Sequence, residues 1–86
     1  MRVHEFTIRS HMERKDLTEI SAKSSHFMSE ITLVYTEGHT EHIVDMKSVL
    51  GMLLVPIKEG TTIRLITKGK DEEEALHYIY DWFESR

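Results

Sequence analysis

The sequence predicts an α+β fold, a two-layer sandwich whose elements follow the order β-α-β-β-α-β-α. Four short segments alternate polar and apolar residues with the period of two that strands require, and three others carry apolar residues at helical spacing. The second and third strands lie close together around the turn residues Glu37 and Gly38, so they form an antiparallel hairpin. Helices interleaved with an antiparallel sheet indicate α+β architecture.

The four strands are predicted from alternation and from β-branched residues. In the first strand, His4, Phe6 and Ile8 alternate with polar side chains. The last strand is the richest in threonine and isoleucine, which favour extended backbone. The predicted strands cover residues 2–9, 31–35, 42–44 and 61–67.

The first two helices are predicted from start and stop signals. Asp16 followed by Glu19 fits a capping box, which opens a helix over residues 16–27. A short apolar helix runs from Ser48 to Val55 and is ended by Pro56, because the residue before a proline avoids helical backbone.

The third helix begins at Asp71, which is followed by three glutamates that suit the positive end of the helix dipole. Trp82 is predicted in the partial core or at its rim, and Tyr78, four positions earlier, is a candidate to stack on it along the outer face. The predicted buried face has apolar residues at i, i+3, i+4 and i+7: Leu76, Ile79, Tyr80 and Phe83.

Composition predicts one domain, residues 1–86, in the cytoplasm. The chain has no cysteine, so it can form neither a disulfide nor a thiolate metal site. No apolar run approaches the roughly 20 residues of a membrane span, and the first ten residues lack the apolar stretch of a signal peptide. Fifteen acidic and eleven basic residues give a net charge of −4, which disfavours a nucleic-acid partner.

Two motifs follow each other at a fixed distance, KSVLG at 47–51 and GKDEEEAL at 69–76. They resemble the K-S-hydrophobic-hydrophobic-G and G-x-D-E-x-x-A-[LV] motifs of the HPr family, the small phosphocarriers of the bacterial phosphoenolpyruvate:sugar phosphotransferase system. The segments at 27–35 and 57–65 are also similar to the family, so the resemblance covers nearly the whole chain. It implies an open-faced sandwich, with three helices covering one face of a four-stranded antiparallel sheet.

The active-site loop departs from the family pattern G-[IL]-H-A-R-P-A. Aligned on the helix that follows, the position of the phosphoryl-accepting histidine falls on Glu13, that of the arginine on Lys15 and that of the proline on Asp16. The chain therefore resembles members that lack this histidine. Lysine does not reproduce the bidentate grip of arginine, and Glu13, Asp16 and Glu19 would crowd negative charge at one helix start. His11 is a candidate displaced acceptor without the H-x-R-P context.

Glu13 has two interpretations on the sequence alone. Its carboxylate can stand permanently where phosphohistidine would otherwise place negative charge, or it can serve only the capping of the helix that follows.

Ser48 also has two interpretations. Serine is a favoured helix N-cap, and the family resemblance implies a regulatory phosphorylation site. The apolar residues that follow are too many for one side of a short helix, so some face solvent and suggest a docking surface. The resemblance assigns Lys47, Val49, Leu50 and Leu53 to partner-facing positions and leaves Met52 or Leu54 to the core.

The leading hypothesis is a regulatory, non-enzymatic HPr-like protein of carbon catabolite control. By resemblance, its partners are a bifunctional HPr kinase/phosphorylase and a LacI-type catabolite repressor, or phosphotransferase-system enzymes. The alternatives are an active phosphocarrier that uses His11 and an interaction module without phosphorylation. Neither a cofactor nor a metal is predicted, because the six histidines are scattered and His39 and His42 lie three apart in a hairpin.

Overall fold

A computed structural model describes residues 1–86 and contains four strands and three helices. The strands are β1 (Arg2–Thr7), β2 (Glu30–Glu37), β3 (Thr40–Asp45) and β4 (Thr62–Lys68). The helices are α1 (Arg14–Ser24), α2 (Val49–Leu53) and α3 (Glu72–Glu84). The predicted order β-α-β-β-α-β-α is confirmed.

The strands form one antiparallel sheet in the order β1-β4-β2-β3. β4 lies in the interior of the sheet, where Leu65 is paired with His4 of β1 and with Leu33 of β2. Leu65 is fully buried, whereas its neighbours Arg64 and Ile66 on the other face remain partly exposed. The helices therefore cover one face of the sheet and leave the other open, as predicted.

The core between sheet and helices is a single cluster of 17 buried residues. The sheet contributes Leu33 and Leu65, and each helix contributes at least one side chain with no exposed surface: Ile20 from α1, Met52 from α2 and Ile79 from α3. None of the three helices combines the length and the apolar character that a membrane span requires.

The first helix begins two residues earlier than predicted. Glu13 is its N-cap, with extended backbone, and the backbone N–H of Glu13 donates to Oδ2 of Asp16 at 3.0 Å. Asp16 therefore lies in the first turn and supports the cap from within the helix. The helix ends at Ser24, and the predicted continuation to Phe27 is a series of turns.

The last helix begins where predicted, but Trp82 belongs to its buried face. The buried positions are Ala75, Ile79, Trp82 and Phe83, while Leu76 and Tyr80 lie half-buried at the flanks. The predicted stacking of Tyr78 on Trp82 is wrong. The ring of Tyr78 instead lies 5.5 Å from that of Phe27, and Trp82 packs edge-on against Phe83 at 5.1 Å.

The head of α3 is joined to the turn that precedes β2. The carboxylate of Asp71 accepts hydrogen bonds from the backbone N–H groups of Met28 and Ser29, each at 2.9 Å, and from the hydroxyl of Ser29. Gly69 lies against the same turn with φ of +151°, and a Cβ there would lie 2.7 Å from Cα of Ser29. Only glycine fits this approach without displacing backbone.

Candidate functional site

Ser48 is the N-cap of α2. Its backbone is extended, and its Oγ accepts a hydrogen bond from the N–H of Gly51 at 3.1 Å. A Cβ on Gly51 would lie 3.2 Å from that Oγ and 3.3 Å from Cγ1 of Val44. The absence of a side chain at position 51 therefore lets the head of α2 approach β3 closely and leaves Ser48 partly buried.

Lys47, a predicted partner-facing residue, makes hydrogen bonds through both its side chain and its backbone. Its Nζ donates to the carbonyl oxygen of Phe27 at 2.7 Å, and its backbone N–H donates to Oδ1 of Asp45 at 2.9 Å. The ammonium group thus lies against the connection between α1 and β2.

Three apolar side chains of α2 and its C-cap face solvent. Val49 is 41% exposed, Leu50 77% and Leu54 82%. Leu53 is half-buried and packs against the core, whereas Met52 is completely buried. The choice between Met52 and Leu54 is thereby resolved in favour of Met52 as the core residue. We call Val49, Leu50, Leu53 and Leu54 the α2 surface.

A groove of about 730 Å³ separates the head of α1 from the segment that connects α2 to β4. Leu17, Leu53 and Val55 form part of its apolar lining. Its remaining lining residues include one histidine, one carboxylate and three cationic side chains: His11, Glu13, Arg14, Lys15 and Lys58.

The groove brings the predicted residues His11, Glu13 and Lys15 together, and it adds two cations that the sequence did not indicate. Arg14 precedes Lys15 in α1, and Lys58 comes from a connection that is distant in the chain. Lys58 carries no local signal, because only the folded chain places the segment after Pro56 beside α1.

Glu19 does not contribute to the negative charge at this helix start. Its Oε2 accepts hydrogen bonds from Nε1 of Trp82 at 2.9 Å and from Nη2 of Arg86 at 2.7 Å. These donors, the indole first, hold the pKa of Glu19 below its usual value. The expected crowding of three acids at one helix start is therefore wrong, since Glu19 is engaged at the far end of α3.

No three histidine, aspartate or glutamate side chains are arranged to hold a metal ion. The two residues that stand out chemically are Ser48, a hydroxyl beside an exposed apolar surface, and His11, an exposed imidazole in a cationic groove. A serine hydroxyl and an imidazole nitrogen are both nucleophilic groups.

Comparisons with known proteins identify the family of this chain. The family model described as PTS HPr component phosphorylation site matches residues 5–85. The phosphocarrier protein HPr of Xylella fastidiosa (strain Temecula1) is 31% identical over 85 residues, which cover 96% of this chain and 91% of the relative. The HPr-like protein Crh of Halalkalibacterium halodurans is 36% identical over 62 residues, which cover 72% of this chain and 69% of the relative.

Solved structures share the fold. The crystal structure of HPr-C-His from Thermoanaerobacter tengcongensis superposes with a TM-score of 0.83 at 24% identity, covering 99% of this chain and 93% of that one. The structure of Crh, the catabolite repression containing protein of Bacillus subtilis, superposes with a TM-score of 0.70 at 21% identity, covering 99% of this chain and 93% of that one.

The fold and the comparisons together define a small protein of the phosphocarrier class, which works with protein partners of the phosphotransferase system. The chain belongs to the HPr family. Proteins of this family carry phosphoryl groups and are distinct from catalytic enzymes.

Proposed function

We propose that this protein is a regulatory member of the HPr family that lacks the usual phosphoryl-accepting histidine and acts in carbon catabolite control through phosphorylation of Ser48. The observation that carries the proposal is the position of Ser48, at the head of α2 and directly beside an exposed apolar surface. The protein is then a substrate and a ligand in the cytoplasm, without enzymatic activity or a cofactor of its own.

Phosphorylation would change the surface without dismantling the helix. A kinase transfers the γ-phosphoryl group of ATP to Oγ of Ser48, ADP leaves, and the hydroxyl proton passes to the kinase. The product carries about −1.5 to −2 charges at pH 7. Phosphate oxygens accept hydrogen bonds from N–H groups, as the hydroxyl does from Gly51. The α2 surface thus changes from apolar to apolar and anionic while α2 is retained.

Such a surface suits a partner that presents an apolar groove next to an arginine. We assign the kinase role to a bifunctional HPr kinase/phosphorylase and the reader role to a LacI-type catabolite repressor. The similarity to two Crh proteins supports this assignment. Val49, Leu50 and Leu53 would contact the partner, and Leu54 joins them because it is the most exposed of the group.

The position of Glu13 supports the loss of carrier activity. Glu13 is the N-cap of α1, the position to which the resemblance assigns the family histidine, and it is exposed. A carboxylate in place of an imidazole removes the nucleophilic nitrogen and puts a fixed negative charge where a phosphoryl group would arrive. Exchange of Glu13 for glutamine separates charge mimicry from capping: a partner affinity that stays unchanged would rule out the mimicry.

Intact mass after two incubations tests the proposal. Incubation with HPr kinase and ATP is expected to add one acid-stable phosphate, which is lost in both Ser48→Ala and Ser48→Asn. Asparagine is as good an N-cap as serine, so the second variant separates loss of the hydroxyl from loss of the cap. An acid-stable phosphate that persists in Ser48→Asn would contradict the assignment of the site.

A second function is favoured by the cations of the groove. Arg14, Lys15 and Lys58 line the same groove as His11 and can neutralise an incoming phosphoryl group. Incubation with enzyme I and phosphoenolpyruvate would then add an acid-labile phosphate that is absent in His11→Gln. A chain that gains no mass in either incubation is an interaction module without phosphorylation.

A further inference from the structure

Ser48 shares a cavity with a histidine of the neighbouring hairpin. This cavity, of about 340 Å³, lies between β3 and the head of α2, and both His42 and Ser48 line it. Val44, two residues beyond His42 on the same face of β3, lies against Gly51 directly beside Oγ of Ser48. The imidazole of His42 and the hydroxyl of Ser48 therefore share one surface cavity, which we call the compartment.

The imidazole of His42 is held in this compartment by an aromatic neighbour. Its ring stacks on that of Tyr35 with 4.9 Å between centroids and an angle of 16° between planes. His42 is half-buried and Tyr35 is buried, so the stack has limited freedom to move away from the cavity. Burial, together with the charge of Glu37, raises the pKa of Tyr35, and its phenol therefore stays neutral.

His42 is the only basic residue that lines this cavity. The ionisable residues that line it are Tyr35, His42 and Asp45. Lys47, adjacent to Ser48 in the chain, is tied to the carbonyl of Phe27.

Arg64, a cation of the same sheet, is also engaged elsewhere. Arg64 lies on the open face of the sheet, where it pairs with Glu41 at 3.3 Å. A phosphate on Ser48 would therefore enter a compartment that already holds one carboxylate and whose single chargeable base is an imidazole.

We propose that His42 is the intramolecular counter-charge of phosphorylated Ser48: its imidazole takes up a proton when the phosphate is present and holds the phosphate against the hairpin. This inference rests on the proposed phosphorylation of Ser48 and adds a residue that controls the state of the phosphate. Opposite charges at close range favour each other's ionised forms. The imidazolium accordingly stabilises the dianion of the phosphoserine and fixes its direction relative to the α2 surface.

The test uses the full chain with phosphoserine incorporated at position 48 during translation, so that no kinase is needed. Phosphorus NMR then follows the second ionisation of the phosphoserine, which ordinarily falls near pH 6. The titration midpoint is expected to lie about half a pH unit lower in the wild-type sequence than in His42→Gln. The matched control is His39→Gln, in the exposed turn of the same hairpin, which is expected to behave as wild type.

A second variant guards against loss of the local fold in His42→Gln. His42→Lys keeps a positive charge at position 42, so its midpoint is expected to lie at or below that of wild type. Equal midpoints in wild type, His42→Gln and His42→Lys would overturn the inference, as would an equal effect of His39→Gln. The phosphate is installed without a kinase, so the NMR titration does not depend on the kinase experiment. If the kinase failed to phosphorylate Ser48, the proposed function would be refuted, but the titration would still test the role of His42.

Discussion

Asp71 and Ser29, 42 positions apart in the chain, are joined by two hydrogen bonds: one carboxylate oxygen of Asp71 accepts both the backbone N–H and the hydroxyl of Ser29. The other oxygen accepts the N–H of Met28. All three donors favour the ionised carboxylate, and the hydroxyl of Ser29 contributes most to lowering the pKa of Asp71. A single negative charge therefore fixes the head of α3 to the turn before β2.

This junction predicts acid sensitivity. A carboxyl group whose pKa is lower in the folded state stabilises the fold above its ordinary value of 3.8, and this contribution is lost as pH falls through the lower, folded value. We expect the free energy of unfolding to decrease below about pH 4 and Asp71→Asn to flatten that decrease. Urea titrations of the wild type and of Asp71→Asn at pH 2.5 to 7 measure the free energy of unfolding of each protein. Parallel pH profiles of the two proteins would show that Asp71 is not involved.

Gly69 offers a test of the close approach at the same junction. Gly69→Ala combines a backbone strain of roughly 1–3 kcal/mol with a clash against Cα of Ser29. Gly60→Ala is the matched control, because Gly60 also has a positive φ of 93° but no atom within 4 Å of the place that a Cβ would take. Thermal denaturation is expected to rank Gly69→Ala well below Gly60→Ala. Equal melting temperatures would mean that the turn at Ser29 yields to the added methyl group.

The N-cap of α2 is expected to make a measurable contribution to stability. Ser48→Ala removes the acceptor for the N–H of Gly51 and should cost about 1 kcal/mol, whereas Ser48→Asn should stay near wild type. Chemical denaturation measures the difference. A neutral Ser48→Ala would imply that water replaces the hydroxyl at this helix end.

Substitutions in the α2 surface and in the core beneath it should differ in their effect on stability. Leu50→Ala is expected to change stability by less than about 0.5 kcal/mol, because Leu50 is mostly exposed. Met52→Ala should cost about 2–5 kcal/mol, since Met52 is completely buried. Under the proposed function, Leu50→Ala weakens binding to the repressor in calorimetry. An unchanged affinity in both Leu50→Ala and Leu54→Ala would place the partner elsewhere.

The fluorescence of Trp82, the only tryptophan, is expected to respond to protonation of Glu19. The indole donates to the Glu19 carboxylate, and the guanidinium of Arg86 lies 4.2 Å above the ring. Because the pKa of Glu19 is lowered, protonation is expected below its ordinary value of 4.5, with a step in Trp82 fluorescence. Glu19→Gln should remove that step. A step of the same size in the variant would assign it to another carboxyl group.

The elements of the fold were predictable because each pattern is local. Alternation identified the strands, and the acidic run after Asp71 identified the start of α3. The start of α1 was misplaced since the usual N-cap residues are serine, threonine, aspartate and asparagine. The chain instead caps α1 at Glu13 and uses Asp16 within the first turn.

The site was predictable only in part, because its geometry depends on contacts between distant segments. Ser48 and the exposure of Leu50 follow from their neighbours in the chain. The convergence of Arg14 and Lys58 on one groove, and of His42 and Ser48 on one cavity, depends on how helices and hairpin pack. The sequence likewise left Trp82 between partial core and rim, because its hydrogen bond to the distant Glu19, which lets the indole lie within the core, has no local signal.

The pairing of β1 with β4 bears on the order in which the fold can form. Residues at the head of β1 pair with the tail of β4, as Arg2 does with Thr67, so the first strand has no neighbour in the sheet until almost all of the elements exist. The hairpin of β2 and β3, by contrast, closes over a two-residue turn. Loop-closure entropy makes such distant pairing slow. During synthesis, β1 therefore has no strand to pair with until β4 has been made.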